Sequence, residues 1–285
     1  MNTLFSPAMS VDNGLHLEAL AAEVAPKLPL DKTSHDYWVA YGSIVVNALQ
    51  PDSDIDLLYV VRGGEEKPFR HQAYFRDRPV TVYAVSEATL QDDGGRFLYG
   101  GYFSGKLLSP HVLVADTVDD SKRANELIQK TVGDFVANFL SLENDETYSQ
   151  QEIASEVLRS YLDLCPWYKT YLLKFFSSPA SSSLFKSLPQ HYASSLLTAR
   201  VIEPVSGGYT LADGAPVVEH DTRNENKIRA IARFWSYGAI EHGNNHLFAD
   251  YYFDKAEQNA KKIDGNGEIW QNIRQHFKLG ITTRH

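Results

Sequence analysis

Between Asp12 and Ala25 the apolar residues Leu15, Leu17, Leu20, Ala21 and Val24 recur at helical spacing, and Pro26 and Pro29 close the segment, so an amphipathic helix is predicted there. Residues 36–41, DYWVAY, are aromatic and β-branched until Gly42-Ser43 interrupts them, the pattern of a strand entering a turn. Ser43 to Leu49 has room for about two helical turns before Pro51 and Asp52. Further strands are predicted over Ile55 to Val61, closed by Gly63-Gly64, over Val80 to Val85 after the polar run Arg76-Asp77-Arg78-Pro79, and over Val112 to Ala115.

Strands and helices alternate to about residue 120, which predicts an α/β domain over residues 1–120. The pattern then turns helical from Ser121 to Leu140, breaks at the polar stretch Glu143 to Tyr148, and resumes over 150–176, 190–199 and 225–262. A Ser-rich stretch at 177–183 and a Gly/Pro-containing stretch at 204–216 interrupt it, with a small hairpin expected at Val201 to Leu211. Residues 121–285 are therefore expected to form a second, mainly α-helical domain.

Composition agrees with a folded chain: 285 residues can bury two modest cores, and 43% hydrophobic with 22% charged residues argues against disorder. The formal net charge of −9 repels polyanions and sets nucleic acid aside as a partner. The single cysteine, Cys165, excludes an intramolecular disulfide and suits a reducing, cytoplasmic setting. Met1 to Ser10 lacks a basic start followed by an apolar stretch, and no run of about 18 apolar residues occurs, so neither a secretion signal nor a membrane span is expected.

The chemistry concentrates in residues 41–61, YGSIVVNALQPDSDIDLLYVV. Asp54 and Asp56 flank one residue at the start of an apolar strand, so their side chains share a face with Cα atoms about 7 Å apart. An isolated D-x-D is ordinarily a solvated turn or strand edge. Here it follows a strand, a Gly-Ser turn, a helical stretch and a second turn, and that order favours metal binding. Paired divalent ions about 4 Å apart can bridge triphosphate oxygens, lower the pKa of an attacking hydroxyl and stabilise leaving pyrophosphate. Gly42 lets a phosphate approach the backbone, and the Ser43 hydroxyl with the N–H groups after it can donate to that anion.

This segment resembles the polymerase-β-type nucleotidyltransferase superfamily, and is most similar to the bacterial aminoglycoside adenylyltransferases, where a YGS…SDIDLL stretch precedes a helical domain. The resemblance is specific over residues 37–61 and extends plausibly to about residue 120. It implies a small mixed sheet, two Mg²⁺ ions held by Asp54 and Asp56, and ATP or another nucleoside triphosphate as donor. The implied reaction moves a nucleoside monophosphate, AMP from ATP, to a hydroxyl of a small molecule such as an antibiotic. The superfamily also usually carries a third carboxylate on the next long strand, where this sequence has Thr81, a weak base and a weak Mg²⁺ ligand. Asp77, Glu87, Glu156 and Asp163 are the acids that could stand in for it. Thr81 also leaves open a catalytically reduced protein that binds nucleotide for regulation or as a partner, and transfer of AMP to a protein hydroxyl is a further alternative.

Other segments carry weaker signals. GGYFSGKLLSP, residues 100–110, could lay Ser104, Gly105 and Lys106 against a triphosphate, or be an ordinary loop before a strand. Tyr168, Lys169 and Lys174 beside Trp167 and Tyr171 read as a donor contact or as an aromatic core edge with solvated lysines. His242, His246 and Asp250 have i, i+4, i+8 spacing, open to a metal site or a polar helix face. Helices followed by VIEPVSGGYTL could form a winged helix, but without a basic recognition helix.

Overall fold

The computed structural model of the protein describes residues 17–30, 35–45, 49, 53–63, 67–143, 146–164, 186–215, 220–241, 258 and 261. Helix α1 (Leu17–Val24) buries Leu17, Leu20, Ala21 and Val24 along one stripe. It passes into a 3-10 turn at Ala25–Lys27, where Pro26 occupies one of the first positions, which need no N–H donor. The predicted helical residues before Leu17 lie outside the described residues.

Strand β1 (Tyr37–Tyr41) leads through a 3-10 turn (Gly42–Ile44) towards β2 (Ile55–Val61). Strands β3 (Phe69–Phe75) and β4 (Arg78–Ser86) form a hairpin, and β5 (His111–Ala115) completes a five-stranded sheet ordered β3-β4-β2-β1-β5. Among the described strands only β2 and β4 are parallel neighbours, so the sheet is mixed. Strands β1, β2, β4 and β5 lie where the apolar pattern predicts them. Strand β3 is not predicted, because it is an edge strand whose Arg70, Gln72 and Tyr74 alternate polar or exposed positions with its apolar ones. Its hairpin turns at Arg76-Asp77, both left-handed (φ +46° and +65°), without the Gly that usually announces such a turn.

Helix α2 (Glu87–Arg96) also escapes the pattern. It is capped by Ser86, whose hydroxyl accepts from the Thr89 N–H at 3.1 Å, and stopped by Phe97 in the left-handed conformation. A 3-10 segment (Ser104–Leu108) follows, and after β5 comes α3 (Val118–Ala137), begun by the Thr117 cap a little earlier than the apolar spacing indicates. Helices α4 (Gln150–Leu164) and α5 (Leu188–Thr198), the hairpin β6 (Ile202–Val205) and β7 (Gly208–Leu211), and α6 (His220–Glu241) complete the described elements. The predicted helical stretches beyond 164 and 241 lie outside the described residues, apart from Gln258 and Lys261.

One continuous apolar core runs from Leu20 of α1 through the sheet to Ile231 of α6, with α3 packed against both α2 and α5. Phe75, Phe103 and Phe135 are fully buried within it, each worth roughly 2–3 kcal/mol relative to exposure. Among the described residues no helix is long and apolar enough to cross a membrane.

Candidate functional site

The ladder registers assemble one row of side chains across the sheet. Gln72 pairs with Thr81, Thr81 with Asp56, Asp56 with Tyr41, and Tyr41 with His111. Directly paired residues point to the same face at neighbouring-strand spacing of about 4.8 Å, so these five share one side of the sheet. Arg70, Tyr83, Leu58 and Val39 form the next row on that face. The row lies at the end of β1, so the Gly42–Ile44 turn continues directly from it. Gly42 is buried with φ +81°, a conformation that costs other residues about 1–2 kcal/mol, and its carbonyl accepts from the Val45 N–H at 3.1 Å. Ser43, in the middle of the turn, is half-buried.

Asp54 and Asp56 are brought together as their spacing predicts. Burial and the neighbouring Asp54 carboxylate push the Asp56 carboxyl up to about 6, while Lys106 and Arg70 pull it back. The Asp56 carboxylate is thus disfavoured by its surroundings, first by burial. Thr81, 2% exposed, donates its hydroxyl to Asp54 Oδ2 at 2.9 Å. The residue at the expected third-acid position therefore orients a carboxylate instead of adding one. Among the described residues no group of three or more acidic, histidine or cysteine side chains comes together. Two oxygen donors suit Mg²⁺, which is commonly held by one or two carboxylates together with substrate phosphates and water.

Lys106 projects onto the same face. Its ammonium lies 4.4 Å from the ring centre of Tyr102, 4.6 Å from that of Tyr83 and 5.2 Å from that of Tyr41, a three-sided aromatic enclosure. The backbone that carries it is held from both sides. Upstream, the fully buried Asp93 of α2 accepts from the N–H groups of Tyr99, Gly101, Phe103 and Ser104 and from the Ser104 hydroxyl, at 2.8–3.1 Å. Burial pushes the Asp93 carboxyl up, and these backbone donors oppose that shift. Gly100, at φ +69°, lets this loop meet α6, where a Cβ would lie 2.1 Å from the Ala230 carbonyl oxygen. Downstream, α5 clamps the 3-10 segment: His191 Nε2 donates to the Leu107 carbonyl at 3.0 Å and the Tyr192 hydroxyl to the Leu108 carbonyl at 2.7 Å.

The structure separates other candidates from the row. Ser104 is committed to Asp93, the Gly105 N–H to the Gly101 carbonyl and the Lys106 N–H to the Phe103 carbonyl, so in this loop the Lys106 side chain, not the backbone, is presented. Glu87 lies six residues beyond Thr81, about 20 Å along the strand direction, paired with Arg123 at 2.8 Å beside the opposite end of β1. Asp77 is exposed in the β3–β4 turn, four residues and about 13 Å from Thr81. Glu156 pairs with Arg159 in a cleft of about 470 Å³ lined also by Leu142, Tyr148 and Ser155. The sequences around Tyr168 and His242 lie outside the described residues. The Val201–Leu211 hairpin is formed and bridges to Tyr148.

Sequence reasoning missed Arg70, the tyrosine enclosure and Asp93. Tyr83 could have been found, since it stands two residues from Thr81 and must share its face. No local signal marks Asp93, whose partners lie in a loop without periodicity. No protein-family model and no curated protein matches this chain.

Proposed function

We propose that the protein is a nucleotidyltransferase that binds ATP or another nucleoside triphosphate with Mg²⁺ at the Asp54–Asp56 row and transfers the nucleoside monophosphate to a hydroxyl of a small molecule. The observation that carries this reading is the opposition of charges on one sheet face, where two crowded carboxylates stand beside a lysine enclosed by three rings. The carboxylates suit a hard cation and the lysine suits a phosphate.

In this reaction the acceptor oxygen bonds to the α-phosphorus while the bond from that phosphorus to the pyrophosphate oxygen breaks. Pyrophosphate leaves with the electron pair, and the hydroxyl proton passes to a base or to solvent. Asp54 and Asp56 would hold the Mg²⁺, which when bound lowers the acceptor hydroxyl's pKa and offsets phosphate charge. Lys106 orients the phosphates, Gly42 admits them to the backbone, and Ser43 offers a hydroxyl donor. Thr81 keeps the Asp54 oxygen in place. Residues 1–120 would supply the donor site and the helical part, 121–285, the acceptor site. A small acceptor fits the net charge of −9, which disfavours a polyanion. Modification of an antibiotic in the cytoplasm is the family-level analogue.

A second reading, nucleotide binding without efficient turnover, is favoured by Thr81 and by the distance of Glu87 and Asp77 from the row, since a positioned base contributes typically 10²–10⁴-fold. Incubation with α-labelled ATP and Mg²⁺ distinguishes the two: turnover yields pyrophosphate and a labelled product, whereas binding alone yields neither. Asp54→Ala and Asp56→Ala are expected to abolish metal-dependent ATP binding with the circular dichroism spectrum unchanged. Full binding by either variant would remove that aspartate from the site.

A further inference from the structure

We infer that this site takes a nucleoside triphosphate with one divalent ion per chain, the Lys106 ammonium standing as the fixed second cation on the sheet face. The inference rests on the triphosphate reading above. Once one divalent ion takes the carboxylates, a second rests mainly on phosphate oxygens and water, and holds tightly only where the protein adds a further anion. The row offers two carboxylates, and one oxygen of Asp54 already accepts the Thr81 hydroxyl. Thr81 adds a neutral oxygen whose proton is directed at that carboxylate, so it adds no negative charge. Among the described residues no third acid, histidine or cysteine joins the pair.

Positive charge is meanwhile already built into the same face. Lys106 lies over the rings of Tyr41, Asp56's ladder partner, and Tyr83, two residues beyond Thr81. Arg70 reaches this face from β3 and acts on Asp56 along with Lys106. The ring faces fix where the ammonium stands. The clamps by Asp93 on one side and by His191 and Tyr192 on the other hold the Lys106 backbone before any ligand arrives. A cation fixed this way needs little reorganisation when phosphate charge appears beside it. It also repels a second divalent ion entering the same few ångströms.

The test is a count of tightly bound Mn²⁺, read by the electron paramagnetic resonance of the free ion. It uses the full chain saturated with a non-hydrolysable ATP analogue at one equivalent. One Mn²⁺ per complex is expected for the native protein, and a second in Thr81→Asp. Lys106→Gln is expected to weaken the analogue at least roughly tenfold, the loss of a hydrogen bond to a charged group. Thr81 is buried, so where Thr81→Asp fails to fold, the native count and Lys106→Gln decide the matter. Two tight ions in the native complex would overturn the inference while leaving the triphosphate reading standing. Unchanged analogue affinity in Lys106→Gln would overturn the role of the lysine. Failure of the native protein to bind the analogue with Mn²⁺ would overturn both the inference and the reading beneath it.

Discussion

At the scale of single residues, Asp56 sits where its surroundings disfavour its charge. Its carboxyl ordinarily ionises near 3.8, but burial and Asp54 raise it to about 6 in the folded chain. Between those values the folded state holds a proton that the unfolded state has released. The contribution of Asp56 to stability therefore falls as pH rises through this window, and above about pH 6 the ionised group is a net cost. Asp56→Asn removes that cost. In chelator, near pH 8, the variant is expected to unfold at a higher urea midpoint, stabilised by on the order of 1–3 kcal/mol. A lower midpoint would mean that the Asp56 carboxylate has a compensating partner in the fold. Such a conflict between stability and ionisation is frequent where a group is retained for its chemistry.

At the scale of elements, the decisive contact is between α2 and the loop that follows it. Asp93 lies on the buried side of α2 and gathers four backbone N–H groups from residues 99–104. Removing that acceptor leaves buried donors unpaired, each costing about 1–3 kcal/mol, though relaxation and water entry keep the total below their sum. Asp93→Ala is expected to destabilise the fold by roughly 3–5 kcal/mol in urea unfolding. Asp93→Asn keeps one acceptor oxygen but turns its amide NH₂ towards the other pair of N–H donors, so it should recover only part of the loss. Full recovery by asparagine would show that shape, rather than acceptor capacity, holds the loop. Both substitutions act on the backbone leading to Lys106, so under the proposed function any surviving protein is expected to bind ATP more weakly than its stability alone accounts for.

At the scale of the whole molecule, the sheet and the helices after it are joined where His111 of β5 meets His191 of α5, with ring centres 5.3 Å apart. Each donates its one neutral-ring proton to a carbonyl, His111 to Ser109 and His191 to Leu107. Burial lowers both, His191 to about 3, with His111 beside it contributing. As pH falls below about 6.5 the unfolded chain gains a proton at His191 that the folded chain refuses until about pH 3, so stability is lost across that window. The share from His191 is about 2 kcal/mol by pH 5. His111 acts in the same direction, whereas Asp56 opposes it at the acid end. The check is therefore a difference: the fall in unfolding free energy from about pH 8 to 5 should be smaller in His191→Gln than in the native chain. An identical fall in both would show that the imidazole can be protonated in place.

How far the sequence alone reached follows the range of the interactions involved. Strands β1, β2, β4 and β5, the amphipathic stripe of α1 and the adjacency of Asp54 and Asp56 were legible, because alternation and helical spacing are local consequences of backbone geometry. Gly42 was legible as a turn because its conformation excludes most other residues. Strand β3 was not, since half its surface faces away from the core and its turn uses Arg76-Asp77. The sheet order, which sets Thr81 beside Asp56 and Tyr41 on its other side, comes from pairing between distant segments. The enclosure of Lys106, the separation of Glu87 from the row and the gathering of backbone donors by Asp93 likewise exist only once helices and sheet pack. Composition and periodicity record which face a residue turns to the core, but not which distant side chain it meets there. Tertiary packing made that choice, and with it turned the Thr81 hydroxyl to Asp54.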